Sequence, residues 1–480
     1  MKEELRTPGR AGKLWIYALA VLVVYVYHLV RYADAELWNS IYSVYYIFLI
    51  PALVAVHFSI RGFRGPIEEK LFILYWIWIF ISRLLNGDFF LTRDGDMVLN
   101  MGLSCVLLGV CQVLKGRGRQ AFLDAVSLVT AGYFSLLGLV GLYAVLYHKE
   151  LINPLTGSQL TGFEGTISRL TMFYKSSNEV CMWFFLGFFL LVYLFFRRKN
   201  LLWRLAAILG ALINYLALTM TFSRNGMLSF SFGIGLLAAA LGLRYIAFNK
   251  LSRKVLASLL LFCLFTVAAY SSFDAGTALM RSASNAVMSG ESAEEEEEVS
   301  ASAQGLAPEE TAETSQEQTG TVKNDMTYTD ERSLLDDSER LMIYESIIPT
   351  MEQEPLRLLR GCLCEDVMEI SNQVMPKTKP HFHNSYLQAF NITGLPGLGL
   401  LLAFSLLLVV KIVRLFFSSA PMEQKVLLMI LTGIFSYNLL ETSLFVAADT
   451  RAFIFYIIAG TVLACYQDRF PKAAAEGAGR

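Results

Sequence analysis

Charge is what this sequence has little of. Only 17% of its 480 residues are Asp, Glu, Lys or Arg, against about 25% in a typical soluble domain. Forty Lys and Arg nearly cancel 41 Asp and Glu, so there is no basic excess and no nucleic-acid partner is suggested. Cysteine is sparse as well. Cys105, Cys111, Cys181, Cys263 and Cys465 sit inside apolar runs and read as small buried hydrophobes. Cys362 and Cys364 are one residue apart, a poor spacing for a mutual disulfide, and no His/Cys pattern suggests zinc. Neither a metal site nor a cofactor is indicated. A cleavable leader is also missing: no small-residue cleavage site follows the first apolar run, Leu14 to Val30, which reads as a retained span.

What the chain has in quantity is apolar sequence. It is 55% hydrophobic with 34 Phe and 22 Tyr, and its mean hydropathy is +0.48. A membrane-spanning helix needs about 20 mainly apolar residues. About twelve segments qualify on that criterion, near 14–30, 38–59, 71–86, 98–114, 122–147, 180–196, 203–222, 226–247, 255–272, 394–416, 426–446 and 452–466. Lys and Arg gather in alternate connections: Lys2 to Lys13; Arg61, Arg64 and Lys70; Lys115 to Arg119; Arg197 to Lys199; Arg244 to Lys254; and Lys411 to Lys425. By the positive-inside bias these connections and both termini are expected in the cytoplasm. The expected architecture is an all-α polytopic membrane protein with one large extracytoplasmic loop containing short helices. It divides into N-terminal spans (1–200), spans 7–9 (201–272), the large loop (273–386), spans 10–12 (387–470) and a cytoplasmic tail (471–480).

Two long connections are expected outside, about 148–179 and 272–386. The second opens with an acidic low-complexity stretch that includes Glu294 to Glu298, and residues 290–325 are expected to be disordered. Beyond Asp325, Leu341, Tyr344, Ile347, Ile348 and Met351 recur at helical spacing, with Asp336 and Glu339 placed like a capping box.

Three features on this outer side carry chemical interest. Thr221-Phe222-Ser223-Arg224-Asn225-Gly226 ends an apolar run on an arginine where the charge bias disfavours one. A snorkelling interfacial arginine would account for Arg224 equally well. Arg340 stands in the first turn of the loop helix, against the helix dipole, although Asp337 and Glu339 are near enough to neutralise it. His381-Phe382-His383-Asn384-Ser385-Tyr386-Leu387 holds two of the five histidines, just before a segment containing Gly394-Leu395-Pro396-Gly397.

In this order, Ser223-Arg224-x-Gly226, Ser338-x-Arg340-Leu341, His383-Asn384-x-x-Leu387 and Gly394-x-x-Gly397 resemble the bacterial O-antigen ligase and O-antigen polymerase superfamily. The resemblance covers about residues 201–466. It implies that Arg224, Arg340 and His383 form the catalytic site, and Asn178 matches a family asparagine more loosely. Asn384 and Ser223 flank the motif positions and join the substrate-binding candidates. Glu441, expected inside the eleventh span, is a functional candidate as an intramembrane carboxylate, with a structural hydrogen bond as the competing explanation. One departure is visible. Where the family has a Pro-apolar-apolar-Gly-x-Gly turn, Pro355 to Cys362 is longer, more basic and lacks the second glycine. Its Arg357 and Arg360 are candidates for contact with phosphate or anionic lipid.

The implied donor is a glycan on a polyprenyl (undecaprenyl-type) diphosphate, and the implied acceptor is a saccharide or lipid-linked glycan, both met at the bilayer. The residue types suit a single inverting displacement. Arginine forks stabilise a departing diphosphate, and a histidine of ordinary pKa takes the proton of the attacking hydroxyl. Metal independence is expected, with the arginines in the place a divalent ion would take. A flippase or other twelve-helix transporter is the rival class. It would normally show repeated halves and broken mid-membrane helices, and no repeat is evident here.

Overall fold

A computed structural model describes residues 8–30, 44–63, 65–87, 93–147, 149–152, 159–164, 169–173, 176–246, 251–303, 355–362, 384–442, 444–445 and 450–471. In chain order its helices are α1 (Pro8–Val30), α2 (Tyr45–Arg61, opening with a π-turn), α3 (Ile67–Asn86), α4 (Arg93–Val113), α5 (Arg117–Leu146), α6 (Ser177–Arg197), α7 (Leu201–Met220), α8 (Arg224–Tyr245), α9 (Leu251–Ala303), α10 (Pro355–Arg360), α11 (Ser385–Phe417), α12 (Met422–Asn438) and α13 (Thr450–Arg469). Between α5 and α6 lies an antiparallel hairpin, β1 (Thr161–Glu164) with β2 (Arg169–Met172), in which Thr161 faces Met172 and Glu164 faces Arg169. Eight of these helices are long and apolar enough to cross a membrane.

The lipid-facing surfaces are written into the sequence. On α7, Leu201, Leu205, Ile208 and Leu212 are all exposed at helical spacing, forming one continuous apolar face. A soluble protein would have to cover such a stripe, whereas a bilayer solvates it. The inner helices are different. Along α13 every residue from Ala452 to Ala459 is buried, and α4 and α6 are nearly as enclosed. The helices α2, α3, α12 and α13 fall short of the length or hydropathy expected of a lone span. Of these, α12 and α13 are largely enclosed by other helices.

Contacts between helix termini define two ends of the bundle. At one end Arg119 pairs with Asp468 at 2.7 Å, Lys411 with buried Glu68 at 2.5 Å, and Arg61 with Glu69. At the other, Ser284 of α9 donates to the last carbonyls of α5 at 3.1 Å, beside the hairpin. The candidate residues that are described lie at this hairpin end.

Two expectations differ from the structure. The ninth segment was expected to end near residue 272, but α9 continues without a break to Ala303, through Glu294 to Glu298. An Ala-, Ser- and Glu-rich sequence extends an existing helix without paying a nucleation cost. Residues 304–325 of the expected disordered stretch lie outside the described residues. The eleventh segment was expected to reach residue 446, whereas α12 stops at Asn438. The Asn438 amide turns back to the Ile434 carbonyl at 2.8 Å, and its oxygen accepts from Leu444 N at 3.1 Å.

Candidate active site

The site is built on the turn between α7 and α8. Thr221 and Phe222 close the last turn of α7 through bonds to Leu218 O and Thr219 O. Phe222 then takes φ +48°, the sole positive-φ non-glycine residue among the described residues. That conformation is costly for an aromatic residue and persists only where its surroundings enforce it. Here Arg169 of β2 holds the turn, donating from Nε to Thr221 O at 3.2 Å and from Nη2 to Phe222 O at 3.4 Å. Ser223 caps α8, its Oγ accepting from Gly226 N at 3.3 Å. Gly226 is required by crowding, since a Cβ there would lie 2.4 Å from Cys181 Sγ.

From this turn a polar chain runs across three helices. Ser223 Oγ donates to Asn178 Oδ1 at 2.9 Å, and Asn178 Nδ2 donates to Glu441 Oε1 at 3.0 Å. Tyr437 OH donates to Asn178 O at 2.6 Å, and Asn225 Nδ2 to Tyr437 O at 3.2 Å. Arg451, buried at the start of α13, reaches Tyr437 OH at 3.3 Å and Glu179 at 3.5 Å. On the far side Asn384 caps α11, its Oδ1 accepting from Tyr386 N at 2.9 Å and Leu387 N at 3.1 Å. Its Nδ2 donates to Leu439 O at 3.0 Å, and Ser385 Oγ donates to Glu441 O at 3.1 Å. Asn178, Ser223 and Glu441, distant in sequence, are thus joined directly. Asn384 is tied to the same segment that carries Glu441. Arg224, partly exposed in the first turn of α8, stands beside them.

These positions refine the expectations. Ser223 and Asn384 both have a structural duty as helix caps. Glu441 sits past the end of α12 in an irregular turn, buried at 7% exposure, and is not within a span. Arg340 and His383 lie outside the described residues. Arg357 and Arg360 are on α10, which packs on α11 and α3. Arg360 Nη1 donates to Leu85 O at 3.1 Å, so this side chain braces the end of α3. Among the described residues no group of three His, Cys, Asp or Glu comes together. The chain does carry one Asp-x-Asp, Asp94-Gly95-Asp96, at the start of α4.

A second polar junction was not anticipated. The helix α11 is broken at Gly394, with φ +67° and ψ −170°. In a regular helix residues 395–397 would donate to the carbonyls of 391–393, and Pro396 has no N–H to give. All three carbonyls are satisfied from outside. Cys362 N donates to Asn391 O at 2.9 Å, Trp78 Nε1 to Thr393 O at 2.7 Å, and Arg83 and Ser82 to Ile392 O. Arg83, fully buried, also donates to Cys362 O at 2.6 Å. Gly361 and Gly394 permit the approach: a Cβ on Gly361 would lie 2.1 Å from Ile392 O, and one on Gly394 2.5 Å from Leu359 O. Like Arg224, Arg83, Arg169 and Arg451 are arginines on the side where the charge bias disfavours them. That signal would have found all three.

Residues 209–402 match the O-antigen ligase family model, which supports the resemblance to the O-antigen ligase and polymerase superfamily. No curated protein and no solved structure matches the chain.

Proposed function

We propose, for a multi-pass membrane protein that carries this O-antigen ligase region, that it moves a glycan from a polyprenyl diphosphate to an acceptor hydroxyl on the outer face of the cytoplasmic membrane. The family match supports a ligase or polymerase role in surface polysaccharide synthesis. The outer-face assignment rests on the distribution of Lys and Arg.

In this reading the acceptor oxygen attacks the anomeric carbon and forms the new glycosidic bond. The bond from that carbon to the diphosphate breaks, and the lipid diphosphate leaves with the electron pair, inverting the anomeric centre. His383 takes the acceptor proton. Arg224 and Arg340 grip the diphosphate and oppose its growing charge. The observation that carries the proposal is the setting of Arg224. It occupies the first turn of a capped helix, whose positive dipole end favours an anion, in a turn fixed by Arg169, Ser223 and Asn178. Asn178, Ser223 and Glu441 then hold that turn against α6 and α12, and Asn384 ties the start of α11, next to His383, to the same place.

The test is glycan transfer by full-length protein in nanodiscs, with a lipid-diphosphate glycan as donor. Arg224→Ala and His383→Ala are each expected to cut turnover by about 100-fold or more, the usual effect of removing a preorganised group. Product NMR should report an inverted anomeric centre. Wild-type transfer by either variant would remove that residue from the mechanism.

A further inference from the structure

Arg281 is a basic side chain at the hairpin end that neither the motifs nor the mechanism uses. It lies in the part of α9 beyond the expected end of the ninth span, one turn before Ser284, whose hydroxyl is anchored on the last carbonyls of α5. Its guanidinium carbon stands 5.9 Å from the centre of the Phe222 ring. Phe222 is the positive-φ residue of the α7–α8 turn, immediately before Ser223 and Arg224. The strained backbone therefore aims an aromatic face at α9, and α9 answers with a cation on that face.

Two nitrogens of the guanidinium are unsatisfied. Among the described residues, Arg281 Nε and Nη2 are both buried from solvent without a hydrogen-bond partner. A buried N–H without an acceptor is rare enough in folded proteins to call for an explanation, such as a ligand. The carboxylates of the polar chain are already engaged: Glu179 with Arg451, and Glu441 with Asn178. Asp274, on the same helix, is exposed two turns earlier.

We propose that Arg281 is a substrate-binding residue that takes an oxygen of the donor's diphosphate, joining Arg224 of the neighbouring turn in holding that anion. The inference rests on the reading of the site as a lipid-diphosphate transferase. Nε and one Nη of a guanidinium form the edge that meets two phosphate oxygens at once. The contact with the Phe222 ring helps hold the guanidinium in place before the ligand arrives.

The experiment titrates inorganic pyrophosphate, as the probe, into the full-length protein in phosphatidylcholine nanodiscs containing EDTA, and follows binding by calorimetry. Donor KM and kcat are measured on the same preparations. Wild type should bind saturably. Arg281→Ala should weaken pyrophosphate binding at least tenfold and raise donor KM more than it lowers kcat. Arg281→Lys, which keeps the charge and stem but loses the fork, should fall between and covers the case in which the alanine variant does not fold. Pyrophosphate affinity and KM unchanged in either folded variant would overturn the inference and leave the transferase reading intact. Absence of saturable pyrophosphate binding in wild type would overturn it as well. If wild type binds pyrophosphate through Arg281 but transfers no glycan, the anion site stands and the transferase reading falls.

Discussion

The junction around the α11 break makes a quantitative demand on Arg83. Replacing it with Met keeps most of the volume and removes charge-assisted bonds to Cys362 O and Ile392 O, besides one to its neighbour Ser82 Oγ. Each is worth about 1.5–3 kcal/mol. Two effects reduce the loss: Ile392 O retains Ser82 as a donor at 3.2 Å, and the variant no longer buries a cation. The Cys362 carbonyl is left buried with its arginine donor gone, at about 1–3 kcal/mol. A net cost of about 2–3 kcal/mol for keeping α10 docked follows, or about 30- to 150-fold more frequent opening. Cys362 itself is the reporter, because its thiol is 1% exposed and donates to Asn391 Oδ1 at 2.8 Å. Its alkylation by N-ethylmaleimide, read by peptide mass spectrometry on protein in nanodiscs, should accelerate by that factor. Arg83→Lys, with a point charge in place of the fork, should lie between. A rate within about threefold of wild type in Arg83→Met would refute the idea that Arg83 holds the broken helix to α10.

Asn178→Ala should cut transfer by about 10- to 100-fold, as expected for losing one or two buried hydrogen bonds at about 1–3 kcal/mol. Asn178→Asp should be worse, since it sets a carboxylate 3.0 Å from Glu441; activity above that of the alanine variant would exclude the network. Gly226→Ala should lower both stability and turnover, because its Cβ meets Cys181 Sγ at 2.4 Å and Cys181 Cβ at 2.7 Å. Adding Cys181→Gly should recover most of the loss, and a pair of changes that simply add would show that crowding is not the cause. Transfer should survive EDTA; a metal-dependent loss would redirect attention to Asp94 and Asp96. Deleting the gene should leave donor exported but repeat units short, or finished chains unligated, on a sizing gel of surface polysaccharide. Donor trapped on the cytoplasmic side would mean a flippase.

The sequence made the spans legible because hydropathy is a local property. Each of the twelve apolar segments read from it overlaps a helix of the structure, but only eight of those helices are long and apolar enough to cross a membrane by themselves. The extension of α9 was missed because acidic, low-complexity composition signals solvation, while the helix it joins had already met the cost of nucleation. The start of α12's exit turn was missed because Asn438 ends the helix with tertiary partners, Ser385 and Leu444. In the same way Ser223 and Asn384 were legible as special positions, but not as caps. The Asn178–Glu441 bond joins residues 263 positions apart, and nothing local encodes it.

The arginines at the hairpin end make the sharper argument. On this charge-poor side each described arginine whose partners can be traced is committed to a particular acceptor. Arg83 serves the carbonyls of a broken helix, Arg169 the α7–α8 turn, Arg360 the end of α3, and Arg451 serves Glu179 and Tyr437. A fold that keeps cations here only where each has work to do would not be expected to carry Arg281 idle over a strained aromatic turn, next to the residue assigned to a diphosphate. The general bias against Lys and Arg in outer connections therefore bears on more than orientation. Its exceptions among the described residues mark where this bundle is held together, and Arg281 is where we propose that an anion completes it.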